Sequence, residues 1–208
     1  KIMFQEEIFT LLRTVYDLER LIGRVSYGNA NPRDLLALRN SLQQLPLIQE
    51  KLSTLHSDLF LKLAELPNLS SIGALLHQSI KEDAPISIRE GGMIKEQFNS
   101  ELDQLHLIKK NSRKYLQDLE EKEKAKTGIS TLRLGFTKVF GYFIEVTHKN
   151  AHLVPQNYIR KQTTVNSERY ITEELKNEEE KILGAEEKIN NLEYQLFQEI
   201  LRQISSAT

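Results

Sequence analysis

The chain has 208 residues, 39% of them hydrophobic and 27% charged, with 28 bases against 29 acids for a formal net charge of -1. That length suffices for one large or two small domains with a real apolar core. The longest apolar runs are a few residues, which excludes a membrane-spanning helix, and zero cysteines exclude disulfides and thiolate metal sites and fit a reducing compartment.

No signal peptide is visible in Lys1-Ile2-Met3-Phe4-Gln5-Glu6-Glu7, and a helical pattern already under way there reads as a piece cut from a longer protein. From Gln5 to about Tyr27, Ile8, Leu11, Val15, Leu18, Ile22 and Val25 form an amphipathic stripe. Gly28 to Pro32 stops that helix and starts the next, with Asn31 as N-cap and Pro32 at the first helical position, where a missing N–H costs nothing. Leu35, Leu38, Leu42 and Leu45 continue an apolar face to Pro46, which is expected to kink or restart the helix. Shorter helices are predicted over Thr54 to Leu66 and Ser71 to Lys81, divided by Pro67-Asn68. Pro85 to Ile94 reads as extended, with Gly91-Gly92 as a turn. This first portion is a helical body without visible chemistry.

Between Lys95 and Thr127 the pattern tightens to alternating three- and four-residue steps at Phe98, Leu102, Leu105, Leu116 and Leu119, with Lys109 and Ser112 as polar interruptions. A matching stripe follows at Leu175, Ile182, Ala185, Ile189, Leu192, Leu196 and Ile200. The simplest partner for each stripe is the other, as an antiparallel pair; an intermolecular coiled coil is the alternative, because heptads alone do not fix the partner. The segment joining them, Ile129 to Thr172, changes character. Leu132, Leu134 and Phe136, then Tyr142, Ile144 and Val146, alternate with period two, and six aromatics fall within it. The fold class predicted is mainly α with a small β insert: a helical body (1–94), a long two-helix lever (95–128 and 173–208), and a small antiparallel β module at its tip (129–172). Thr172 is expected to cap the returning helix, with Glu173 and Glu174 favouring its positive end.

Charge is polarised. Ile129 to Thr172 holds six bases and two acids, a balance of +4, whereas Glu173 to Arg202 holds four bases and nine acids, a balance of -5. Such a tip attracts a polyanion that the shaft repels. Lys138, Lys149, Arg160, Lys161 and Arg169 supply charge, and Thr137, Asn150, Gln162, Thr163, Thr164 and Asn166 supply uncharged donors, the residue types that hold a phosphate backbone without reading bases. The alternation places most aromatics in the small core rather than on stacked bases. No phosphate-binding glycine loop is present, the spacing of His148 and His152 lacks a third ligand, and no catalytic grouping stands out.

Several stretches in register carry a resemblance: Leu134-Gly135-Phe136-Thr137-Lys138-Val139-Phe140-Gly141-Tyr142-Phe143-Ile144-Glu145-Val146-Thr147, His152-Leu153-Val154-Pro155, Tyr158-Ile159-Arg160-Lys161-Gln162-Thr163, Asn166-Ser167-Glu168-Arg169-Tyr170-Ile171 and Glu174-Leu175-Lys176. Asp17-Leu18-Glu19-Arg20-Leu21, Pro32-Arg33-Asp34-Leu35 and Gly91-Gly92-Met93-Ile94 agree in the body. Over nearly its whole length the chain resembles the MutS family of DNA mismatch-repair proteins, in its core, lever and clamp regions. The resemblance implies a non-enzymatic piece whose clamp grips double-stranded DNA through its backbone, closes over it with a second subunit, and is coupled by the levers to an ATPase that lies elsewhere with its ATP and magnesium. It implies no membrane partner and a bacterial, cytoplasmic setting. Lys138, Lys149 and Asn166 are the expected phosphate contacts, followed by Thr137, Asn150, Gln162 and Thr164. Thr137 stands where the family often has Asn, and Val165 where Lys is common. The competing expectation is a coiled-coil scaffold arm whose β tip docks a protein through aromatics such as Phe140 and Phe143.

Overall fold

The computed structural model describes residues 2–55, 62 and 69–207. It is mainly helical, with one four-stranded antiparallel sheet inserted between two long helices that pack together. The chain divides into two compact units, residues 1–100 with 190–208, and residues 101–189.

In the first unit, α1 (Ile2–Arg13), α2 (Leu18–Ser26) and α4 (Ser70–Ser79) each pack on α3 (Pro32–Ser53). The single stripe expected from Gln5 to Tyr27 is divided. Asp17 caps α2 by accepting the Arg20 N–H at 3.0 Å, and the Tyr16 N–H donates to the Ser41 hydroxyl at 2.9 Å, so side-chain acceptors redirect the backbone between the two helices. Asn31 and Asp34 form a reciprocal capping box, with Pro32 as the first helical residue. The helix then runs through Pro46 instead of restarting, with Leu42 and Ile48 buried on either side of it; packing carries the helix across one missing hydrogen bond. The helix expected over Thr54 to Leu66, and the Pro67-Asn68 break, lie almost wholly outside the described residues. The segment expected to be extended from Pro85 to Ile94 contains a 3-10 turn at Ile88–Glu90 and one bridge, Ile80 to Ile94. Gly91 and Gly92 both take left-handed φ (67° and 74°), which glycine adopts without steric cost.

Helix α6 (Glu173–Ser206) crosses from one unit to the other. Within the first unit its Glu193 is fully buried, and the carboxylate accepts the N–H groups of Gly92 at 2.5 Å and Ile94 at 3.2 Å. A buried carboxylate is sustained by such bonds. The expected apolar stripe therefore shifts: Glu193 and Phe197 are buried where the heptad pattern favours Leu192 and Leu196, and the latter two are half-buried.

In the second unit, α5 (Ser100–Thr127) and the first half of α6 run antiparallel, as the cross-pairs Lys109–Glu186 (2.8 Å) and Lys122–Glu174 (3.2 Å) require. Leu116, Leu119, Leu175 and Ile182 share one core with the sheet residues Ile144, Val146 and Tyr170. Ser112 is buried in the same helix face, and Lys109 reaches out to Glu186. Thr172 accepts the Leu175 N–H at 3.2 Å and caps α6. The strands are β1 (Arg133–Thr137), β2 (Gly141–Thr147), β3 (Ile159–Thr163) and β4 (Ser167–Ile171), in the order β1-β2-β4-β3, with a 3-10 helix at His148–Leu153 after β2.

Candidate nucleic-acid interface

Antiparallel pairing gives the sheet two ends. Thr137 pairs with Gly141, so the β1–β2 turn closes one end; Thr147 pairs with Ser167, so the β3–β4 turn and the 3-10 helix meet at the other. β2 alone separates them by seven residues, about 20 Å of strand.

The first of these, the near end, lies along α6. Glu179 accepts the Tyr142 N–H at 3.1 Å, and a Cβ added at Gly141, whose φ is 73°, would overlap that carboxylate. Midway along β1, where Leu134 pairs with Ile144, Glu120 of α5 accepts the Leu134 N–H at 2.8 Å and binds Lys124 at 2.7 Å. Burial pushes the Glu120 carboxyl up, but the hydrogen bonds from Lys124 and the Leu134 N–H outweigh it and hold it below its ordinary value. Thr137 closes the turn by accepting the Phe140 N–H at 3.2 Å. Lys138 is exposed here, beside Phe136 (50% exposed), Val139 (83%) and Phe140 (46%).

The second, the far end, gathers most of the remaining candidates. Lys149 and Asn166 are exposed; Asn150 and Thr164 are half-buried. Asn150 donates through Nδ2 to the Thr131 hydroxyl at 3.0 Å, and the His148 N–H donates to the Asn166 carbonyl at 3.2 Å. Thr164 knots its own turn: its N–H donates to the Ser167 carbonyl at 2.8 Å, and its hydroxyl accepts the Ser167 N–H at 3.1 Å. Gln162 lies on the sheet, accepting from Arg169 at 2.9 Å. The structure thus brings together Lys149, Asn150, Thr164 and Asn166, sets Gln162 on the strand leading to them, and leaves Thr137 and Lys138 at the opposite end.

Both acids of the sheet are engaged by cations. Glu145 lies 3.6 Å from Arg169 and accepts the Ser167 hydroxyl at 2.6 Å; Glu168 lies 3.5 Å from Arg160 and 3.9 Å from His148. The Tyr170 hydroxyl, Arg160 and His148 hold the Glu168 carboxyl below its ordinary value. Arg169 also stacks on Phe143, 4.3 Å above the ring. Three lysines, Lys138, Lys149 and Lys161, are exposed and form no ion pair among the described residues. Lys161 is not among the preferred contacts of the sequence reading. It falls at a β-bulge in the outer strand β3, where it is left without a partner in the pairing with β4, and strand order is what the linear sequence withholds. The aromatics divide: Phe143, Tyr158 and Tyr170 are buried, while Phe136 and Phe140 are half-exposed at the near end.

Tyr158, ahead of β3, donates to the buried carboxylate of Glu123 in α5 at 2.5 Å. Burial and that carboxylate push its hydroxyl far up. Tyr170 donates to Glu168, and burial with that bond raises it to about 12.

Residues 97–188 match the family model described as MutS family domain IV. The chain is 52% identical over 201 residues to the DNA mismatch repair protein MutS of Caldicellulosiruptor bescii, covering 96% of this chain and 23% of that protein. It is 52% identical over 196 residues to the MutS protein of Listeria monocytogenes, with 93% and 23% coverage. With the MutS protein of Methanosarcina barkeri it shares 44% identity over 211 residues, 99% of this chain and 23% of the relative. The chain thus spans about a quarter of the length of the curated relatives it matches.

Proposed function

The chain belongs to the MutS family and carries its domain IV at residues 97–188, and from that premise we propose that the far end of its sheet grips the sugar–phosphate backbone of duplex DNA in mismatch repair, without reading sequence. The observation that carries this is the charge arrangement. Both sheet acids are engaged internally, while Lys149 and Lys161 stand exposed and unpaired, with Asn166 exposed between the strands they flank. Lysine ammonium groups and amide donors of this kind neutralise and position phosphates but carry no base information. Asn150, Thr164 and Gln162 hold internal hydrogen bonds; the first two act mainly by shaping the two turns, and Gln162 holds Arg169 across the strands. Lys138, at the near end, meets a backbone only when the duplex lies along the sheet. Helices α5 and α6 transmit the grip toward the ATP-dependent part of a longer protein, and two such clamps enclose one duplex. The catalysis belongs to that ATP-binding region and to no group of this sheet.

The test is titration of this chain with fluorescent duplexes of unrelated sequence over a range of salt concentrations. Lys149→Ala should weaken binding about equally for every sequence and flatten the plot of log K against log salt by about one unit. An unchanged slope would remove Lys149 from the grip.

A second reading attaches to the near end alone, where Phe136, Val139 and Phe140 are exposed: a hairpin that docks a protein. Phe140→Ser should abolish such docking and leave DNA binding intact.

A further inference from the structure

We infer that His148 is a positioning residue of the far end, tying the turn that presents Lys149 to the turn that presents Asn166 so that both meet one phosphate backbone together. The inference rests on the proposed DNA grip and adds to it a residue whose part is to couple two contacts.

β2 and β4 last pair at Thr147 and Ser167, and past that point the chain leaves the ladder on both sides. On one side it enters the 3-10 helix with Lys149 and Asn150; on the other it forms the turn Thr164-Val165-Asn166. His148 stands at the point of departure. Its Nε2 lies 2.9 Å from the Thr164 carbonyl oxygen. A carbonyl only accepts, so Nε2 carries the proton and donates. Its backbone N–H donates to the Asn166 carbonyl at 3.2 Å. One residue therefore holds the carbonyls on both sides of Val165, which is itself 92% exposed. Its second ring nitrogen faces Glu168, 3.9 Å away, where Arg160 and the Tyr170 hydroxyl converge on the same carboxylate. Among the described residues, no other side chain makes a hydrogen bond from the 148–153 helix to the 164–166 turn.

The turn keeps its own knot through Ser167 whether or not the imidazole is present. What the imidazole adds is the orientation of that knot relative to Lys149. A ligand spanning both turns is held better when they are already fixed to each other, because their ordering is not left to the binding step. Losing one hydrogen bond with this role should weaken duplex binding about three- to tenfold.

The experiment compares this chain with its His148→Ala, His148→Gln, Lys149→Ala and Asn166→Ala variants, together with Lys149→Ala/Asn166→Ala. The Lys149 and Asn166 changes, single and paired, are made both with the native His148 and on top of His148→Ala. Each variant is titrated with one labelled duplex at low salt, and each is unfolded in urea as a check on folding. Glutamine places an amide donor near the position of Nε2. The expected result is a three- to tenfold rise in Kd for His148→Ala at unchanged unfolding midpoint and recovery in His148→Gln. The Lys149 and Asn166 effects should be coupled when His148 is present and additive when it is replaced by alanine. If Lys149→Ala weakens binding but His148→Ala does not, the positioning role is wrong and the DNA grip stands. If His148→Ala weakens binding and His148→Gln fails to restore it, the donated hydrogen bond is not the cause and the inference falls. If neither Lys149→Ala nor Asn166→Ala changes binding, the DNA grip itself is wrong, and the role of His148 falls with it.

Discussion

At the near end of the sheet the β1–β2 hairpin is fastened by Glu179 at the Tyr142 N–H, with Glu120 holding β1 midway along the sheet at the Leu134 N–H, and its exposed side chains are chiefly apolar. At the far end the turns are fastened to each other through Thr164, Ser167 and His148, and to Thr131 through Asn150, and apart from Val165 and Leu153 their exposed side chains are chiefly polar or cationic. The same sheet thus has one end built into its supporting helices and one end free to meet a ligand. The difference lies in where the hydrogen-bond acceptors are. A carboxylate from α6 holds the near end, whereas the sheet acids Glu145 and Glu168 are engaged by Arg169 and Arg160, leaving Lys149 at the far end and Lys161 midway along β3 unneutralised.

The sharpest way to break this comparison is Gly141→Ala. It forces a side chain into a left-handed backbone position and displaces the Glu179 carboxylate from the Tyr142 N–H. The expected loss is about 3 kcal/mol in urea unfolding, with DNA affinity per folded molecule unchanged. A neutral result would mean that the near end is not held through this staple. Tyr158→Phe should cost about 2 kcal/mol by the same measurement, since it strips the main hydroxyl donor from the buried Glu123 carboxylate.

Alkaline titration probes the same anchoring in the wild-type chain. The Tyr170 hydroxyl is raised from 10.0 to about 12 and Tyr158 is raised further, so above pH 10 the unfolded chain releases protons that the folded chain retains. Stability is therefore fully present below pH 10 and falls as pH climbs toward 12, on the order of 1 kcal/mol per pH unit for each tyrosine. Circular dichroism at fixed urea across that range should show the decline, and Tyr158→Phe should make it shallower. A flat profile would mean that neither hydroxyl is held in its protonated form.

The smallest effects on stability belong to the lysines, and these separate the two ends by function. Lys149→Ala and Lys161→Ala should each shift unfolding by less than about 0.5 kcal/mol while each removing about one unit from the salt slope of DNA binding. Lys138→Ala, at the near end, should leave the slope nearly unchanged. Equal slopes for all three would show that the duplex runs along the whole sheet rather than across its far end.

The β module was legible from composition alone because period-two alternation, glycines and aromatics set it apart from the heptads on either side. The cap at Thr172 was legible too, because a hydroxyl before two glutamates satisfies local N–H groups whatever surrounds it. Other features were not. Phe143 and Phe140 are three residues apart in similar surroundings, yet one is buried beneath Arg169 and the other is half-exposed in a turn. Leu192 and Leu196 look like the continuation of a stripe, but Glu193 is the fully buried residue because two backbone N–H groups from Gly92 and Ile94, about a hundred residues away in sequence, need an acceptor. Pro46 looks like a break and is not one, because packing on either side outweighs a single lost hydrogen bond.

By itself the sequence determined the strand-rich insert between two long helices, the caps at Asn31 and Thr172, and that positive charge concentrates between those helices. Those properties depend on neighbours within a few positions, where backbone sterics and side-chain periodicity act. Tertiary structure decided which lysines share a surface. Lys138 and Lys149 are eleven residues apart in the chain and occupy opposite ends of the sheet, while Lys149 and Asn166, more distant in sequence, are brought to the same end by the pairing of β2 with β4. That pairing is a long-range event, fixed by the burial of Ile144, Val146 and Tyr170 against α5 and α6 rather than by any local preference of the residues that carry the charge.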